Sequence, residues 1–257
     1  MKTALFFREL GERSSPPLII LHGLLGTSDN WQTLGKLYSE DFCVFMLDQR
    51  NHGRSPHFES HDYVELAADL LDFMEEQEIA KAHLLGHSMG GKTALMFAHQ
   101  HPDRVEKLII ADMAARAYEP HHQPIFDALL SAPLQTATER SEIEQHLQGK
   151  LADPVMVGFL MKGLRRRADQ GFTWRPHVEV LKDALISVVG EVPLTLNTWP
   201  ILVIYGGQSN YIQSQDLKLY EQTCMQLEWH RIAEAGHWLH ATHPEEFFDV
   251  THAFLQA

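Results

Sequence analysis

The stretch Ala82-His83-Leu84-Leu85-Gly86-His87-Ser88-Met89-Gly90-Gly91 joins a short apolar run to a helical pattern over Thr93 to His101 that Pro102 stops. It predicts a strand, a sharp turn and a helix. A serine thrust out on such a turn takes up strained backbone angles, and its neighbours two residues away must be very small for the backbones to pass. Gly86 and Gly90 fill those two places. The turn also sets Ser88 at a helix N-terminus, where amide N–H groups and the helix dipole favour developing negative charge. A helix-capping role would explain the serine but not the paired glycines, so Ser88 is expected to be a nucleophile.

Outward from this turn the same alternation repeats. Ala4 to Leu10, Leu18 to Leu21, Cys43 to Leu47, Lys107 to Ala111, Ile201 to Tyr205 and Leu227 to Ile232 all read as strands. Between them, Val64, Ala67, Ala68, Leu71 and Met74 mark one apolar face of a helix. Alternating strand and helix predict an α/β fold, a mostly parallel sheet with helices on both faces. From about Ala117 to Pro193 no strand is expected. Helical patches stand there instead, over Ile125 to Leu130, Glu139 to Gln148, Val155 to Leu164 and Val178 to Val188. The chain therefore divides into a core of residues 1–116 and 194–257 and an inserted helical cap, residues 117–193, over the carboxyl edge of the sheet where α/β ligands bind. In the alternative reading these helices only extend the core.

Two further glycine-marked bends follow strands. His22-Gly23-Leu24-Leu25-Gly26 comes directly after Leu18 to Leu21, and such a bend can aim a backbone N–H at a bound carbonyl oxygen. Leu24 and Met89 are the two expected oxyanion donors. Ala235-Gly236-His237 follows the strand over Leu227 to Ile232. A serine hydroxyl is a poor nucleophile near neutral pH, so a histidine must take its proton and return it to the leaving group. His240 and His243 compete with His237, but neither follows a glycine at a strand exit.

With these motifs the chain resembles the α/β-hydrolase superfamily, and within it the YbfF-type bacterial esterases. The resemblance rests on His22 to Gly26 with Trp31 following, Asp48-Gln49-Arg50-Asn51-His52-Gly53-Arg54-Ser55, Gly86 to Gly91, Ile110-Ala111-Asp112-Met113, Gly206-Gly207-Gln208-Ser209-Asn210-Tyr211 and Ala235-Gly236-His237-Trp238. It implies a serine hydrolase acting on a carboxylic ester or thioester through an acyl-enzyme on Ser88, with His237 as base and then acid. In chain order the acid of this family lies between nucleophile and histidine. Most members place an aspartate after the penultimate strand, but Gly206 to Ile212 holds no carboxylate. Asp112, at the end of the preceding strand, is the expected orienting acid; the alternative is a His237 oriented by water or by Ser209. The same scaffold also supports carbon–carbon bond hydrolases or lyases, cofactor-free perhydrolases and non-catalytic ligand-binding modules. An aspartate in the place of Ser88 would have signalled dehalogenase or epoxide hydrolase chemistry.

Composition sets outer bounds. The 257 residues suffice for one large α/β domain, and 44% hydrophobic with 21% charged residues is ordinary globular composition. Lys plus Arg total 21 against 34 for Asp plus Glu, a net charge of −13. That balance argues against nucleic acid and against an anionic membrane surface as partners. The expected partner is a small acyl ester or thioester, with the chain a monomer or small homo-oligomer. The two cysteines, Cys43 and Cys224, suit a reducing compartment. Charges from Lys2 to Glu9 break the N-terminal apolar run too early for a signal peptide. A cytoplasmic location follows as the expectation. Among the 17 histidines no metal-binding spacing is found, and neither a metal nor an organic cofactor is expected. His121-His122, like His99 and His101, reads as surface histidine.

The expected substrate pocket draws on His22, Phe126, Phe159, Trp174, Tyr211 and Trp238, with Leu129, Met156 and Leu160 as further apolar candidates; helical spacing alone also fits simple packing. Arg165-Arg166-Arg167 reads as the basic end of a cap helix, or as a patch for the phosphates of a coenzyme A ester. Asp48 to Ser55 reads as a structural turn.

Overall fold

The structure, a computed structural model, describes residues 3–195 and 199–257. Lys2, and residues 196–198 of the second core segment, lie outside the described residues. In chain order the strands are β1 (Phe7–Leu10), β2 (Pro17–Leu21), β3 (Cys43–Leu47), β4 (Ala82–His87), β5 (Val105–Ala111), β6 (Leu164–Arg166), β7 (Phe172–Trp174), β8 (Ile201–Gly206) and β9 (Leu227–Ile232). One sheet runs β1-β3-β2-β4-β5-β8-β9, antiparallel only between β1 and β3.

The inner strands are apolar at nearly every position because both faces are covered. Ile19, Phe45, Leu84, Ile110 and Val203 face one side, packed with residues of the helices Tyr63–Glu76 and Met89–Gln100. Leu18, Ile20, Val44, Met46, Leu85 and Ile204 face the other, against the helices Gln32–Tyr38 and Pro244–Gln256. Each such side chain removed from water contributes roughly 1.5–3 kcal/mol.

The buried face of the Tyr63–Glu76 helix is rotated from the one read in the sequence. Tyr63, Leu66, Ala67, Leu70, Phe73 and Met74 are buried, whereas Val64 and Ala68 are exposed and Leu71 is half-buried. The larger aromatic and leucine set buries more area than the stripe through Val64, and it wins the core.

Between β5 and β8 lie the helices Gln123–Leu130, Arg140–Gln148, Pro154–Lys162, Val178–Asp183 and Leu185–Val189. This segment is not purely helical, contrary to expectation, since β6 and β7 pair antiparallel within it. Gly171, at φ +73°, turns the chain into β7, and the Phe172 N–H donates to Leu134 O at 2.6 Å. Strands of three residues are too short to display a period of two. The Arg165 reading changes with them: the helix stops at Lys162 with Gly163 as its cap, and Arg165 and Arg166 stand exposed on β6. Arg166 lies over the Phe172 ring, and Arg167 pairs with Asp169.

The two ends of this segment meet at a buried ammonium. Lys92, on the helix that follows Ser88, donates to Arg116 O at 2.7 Å, to Val189 O at 3.3 Å and to Gly190 O. No described helix is long and apolar enough to cross a membrane.

Candidate active site

Ser88 stands between β4 and its helix at φ 53°, ψ −120°, a left-handed conformation that costs a non-glycine residue energy. The glycines flanking it permit the crossing. A Cβ on Gly86 would lie 2.2 Å from Gly90 O, and one on Gly90 2.2 Å from Leu21 O. Met89 opens the helix, so its N–H has no acceptor within that helix. Leu24 and Met89 line a narrow recess together with Ser88.

Asp112 directly follows β5, fully buried and at φ 50°. Three donors converge on its carboxylate. Gly206 N–H donates to Oδ1 at 3.1 Å, His237 Nδ1 to Oδ2 at 2.7 Å, and the Ser209 hydroxyl also to Oδ2. A carboxylate can only accept, so the His237 bond fixes the proton on Nδ1 and leaves Nε2 as the free base. Ser209, the alternative partner of the imidazole, bonds the carboxylate instead. Of the competing histidines, His240 is buried and stacked on Trp31 at 4.3 Å, and His243 bonds Thr242 Oγ1 at 2.9 Å.

Further groups fix the His237 ring. Tyr211 stacks on it with centroids 3.9 Å apart and planes at 16°, and the Tyr211 hydroxyl bonds His121 Nε2 at 2.8 Å. His87, buried behind Ser88, donates from Nε2 to His237 O at 2.9 Å. His87 does not stand out in the sequence, and His121, read there as surface histidine, is indeed exposed. His87 is hidden inside the Gly-His-Ser motif, and His121 gains its role only from the distant Tyr211.

A cavity of about 210 Å³ opens at Ser88 and His237, walled by Ile125, Met156, Phe159, Tyr211 and Trp238. A more polar vestibule of about 500 Å³ shares His237, Tyr211 and His121 with it and adds Arg116, Glu119, Gln208 and Asn210. Among the expected pocket residues, Phe159, Tyr211, Trp238 and Met156 line the cavity. The others lie elsewhere. His22 is buried beneath the loop, donating from Nδ1 to Gly23 O at 2.8 Å and accepting from Gln49 N–H at 3.0 Å. Phe126, Leu129 and Leu160 pack inside the segment between β5 and β8, where Trp174 donates from Nε1 to Leu129 O at 3.0 Å. Helical spacing says that a face is apolar, not whether a neighbour or a cavity meets it. None of Arg165 to Arg167 lines the cavity.

Several histidines of the fold are buried, and burial holds them neutral. It pulls His22 and His83 down to about 4, and His61 and His240 down to about 3, from an ordinary value near 6.5. Between those limits the unfolded chain binds more protons than the folded one, so stability falls as pH drops. Thermal unfolding followed by calorimetry should show a Tm that falls steadily as pH drops from 6.5 toward 4, each group contributing about 1.4 kcal/mol per pH unit. A Tm unchanged between pH 6.5 and 4.5 would contradict this burial.

Ser88 and His237 line one cavity at the carboxyl edge of a mostly parallel sheet, with the buried Asp112 bonded to the histidine. A family profile described as the alpha/beta hydrolase fold matches residues 16–140. The chain is 31% identical to esterase YbfF of Escherichia coli over 245 residues, 95% of this chain and 94% of that one. It is 30% identical to the sn-1-specific diacylglycerol lipase ABHD11 of Danio rerio, over 96% of this chain and 80% of the relative. Among solved structures, a marine microorganism esterase superposes with a TM-score of 0.92 at 36% identity, covering 98% and 99% of the two chains. The protein belongs to the alpha/beta-hydrolase family, and within it to the esterase and lipase type.

Proposed function

We propose that the protein is a serine hydrolase of carboxylic esters. His237 Nε2 takes the Ser88 proton as Oγ attacks the acyl carbonyl, and the carbonyl oxygen becomes an oxyanion held by the N–H groups of Leu24 and Met89. Asp112 keeps the imidazole in its working tautomer and stabilises the imidazolium. His237 then gives the proton to the departing alkoxide, leaving an acyl group on Ser88. Water, deprotonated by His237, attacks that ester; the acid departs and Ser88 regains its proton. The observation that carries this reading is the 2.7 Å bond from His237 Nδ1 to the buried Asp112, at the wall of the cavity that Ser88 enters.

Residues 117–193 serve as the cap of this site, since Ile125, Met156 and Phe159 supply its outer apolar wall. An apolar cavity beside a polar vestibule suits an ester with one apolar and one polar part. Thioesters present the same carbonyl, and acyl-CoA turnover measured beside oxygen esters separates the two. With p-nitrophenyl esters from acetate to palmitate, kcat/KM should peak at short or medium acyl chains and fall about tenfold or more by palmitate. Phe159→Ala should move the optimum to longer chains. A wild-type optimum at palmitate would contradict the pocket assignment, and turnover of no ester would contradict the function.

A further inference from the structure

The mechanism leaves a pair of buried imidazoles unused, and both brace the loop that carries Leu24. His52 lies in the turn after β3, fully buried, between Asn51 at φ 61° and Gly53 at φ 59°. Its Nδ1 lies 2.8 Å from Arg50 O, which can only accept, so the proton is on Nδ1 and Nε2 carries a lone pair. That lone pair receives the Leu25 N–H at 3.0 Å. His22, on the other side, accepts the Gln49 N–H at its own Nε2, while the Gln49 side chain donates to His22 O at 2.7 Å. Each loop thus reaches into the other with a neutral ring, the two rings 5.0 Å apart.

The brace is needed because Leu25 sits at φ 63°, where an L side chain is strained, and Leu24 and Leu25 both wall the cavity at Ser88. Without an acceptor for its N–H, the Leu25 backbone has reason to relax out of that conformation and to move Leu24 with it. We propose that His52 is a positioning residue of the oxyanion hole, its Nε2 holding the Leu25 N–H and so fixing the backbone on which the Leu24 donor depends. The same turn is tied to the segment between β5 and β8, because Asn51 O accepts the His177 N–H at 2.8 Å. Displacement of that segment would therefore be felt at the oxyanion loop.

This role rests on the serine hydrolase reading, which wild-type turnover and Ser88 labelling by a fluorophosphonate test separately. Given an active wild type, His52→Leu should lower kcat on p-nitrophenyl butyrate about 10- to 100-fold with KM changed less than threefold, as expected for a contact that matters in the transition state. His52→Gln, which can set an amide oxygen near the place of Nε2, should restore most of kcat. Nitrogen NMR of the wild-type ring at pH 7 supplies a reading that needs no variant: His52 should be protonated on Nδ1 and bare on Nε2. A folded His52→Leu with wild-type kcat, a His52→Gln no better than His52→Leu, or a ring protonated on Nε2 would each overturn the proposal.

Discussion

Ser88→Ala is expected to lower kcat for an activated ester by about 10⁴-fold or more while leaving the fold intact. Loss of a triad serine removes the acyl-enzyme route and leaves only what binding and the oxyanion donors provide to attack by water. Structure offers no compensating loss on the side of folding. The backbone at Ser88 is held at φ 53° by flanking contacts, with Ser88 N–H donating to Ala111 O at 3.1 Å and Gly91 N–H to Ser88 O at 2.8 Å. Alanine keeps both bonds and has the same backbone restriction as serine. Steady-state kinetics with a parallel unfolding curve checks this: a near-native Tm with activity gone is the expected pair. Retention of a tenth of wild-type turnover would place the nucleophile elsewhere.

Asp112→Asn is expected to cost about 10³- to 10⁴-fold in kcat, the scale seen where a triad aspartate is made neutral. All three donors at this carboxylate need lone pairs, and an amide offers them on one atom only. Turned with its NH₂ toward Gly206, the asparagine meets a backbone N–H head on. Turned toward His237 and Ser209, it donates where it should accept and drives the imidazole proton to Nε2, so the free base is lost. Ser209 can rotate its hydroxyl to adapt, but the ring cannot keep both its place and its tautomer. The readouts are kcat and the ring nitrogen shifts of His237, which should show the proton moved to Nε2. Turnover within tenfold of wild type would show that another group orients the histidine.

These expectations were mostly visible in the chain before its structure. The turn at Ser88, the bend at Gly23 and the loop at Gly236 are marked by glycines, and at Gly86 and Gly90 a Cβ would meet backbone at 2.2 Å, so sequence records the geometry directly. The buried strands are legible for a similar reason: two covered faces demand unbroken apolar runs such as Leu18 to Leu21. Asp112 is preferred over Ser209 already from its place at a strand end, but no local pattern shows that the Ser209 hydroxyl, 97 residues away, and His237 Nδ1 would meet on the same Asp112 oxygen. The β6-β7 pair left no trace because three residues carry no period and its turn is defined by one glycine. The pocket was legible only in part. Phe126 and Phe159 look alike in sequence, yet one packs against neighbouring helices and the other faces Trp238 across 4.2 Å of ring separation. His121 and His52 gain their roles from partners far along the chain, Tyr211 and Leu25, and no local pattern announces such a bond.

The proposed mechanism turns on one serine, Ser88, as the attacking group. The most direct measurement is the intact mass and peptide map of the protein after reaction with a fluorophosphonate, followed alongside residual esterase activity. A single adduct per chain is expected, on the peptide holding Gly86 to Gly91, appearing in step with loss of activity. An adduct on another residue, or ester hydrolysis that continues once Ser88 is fully labelled, would contradict it.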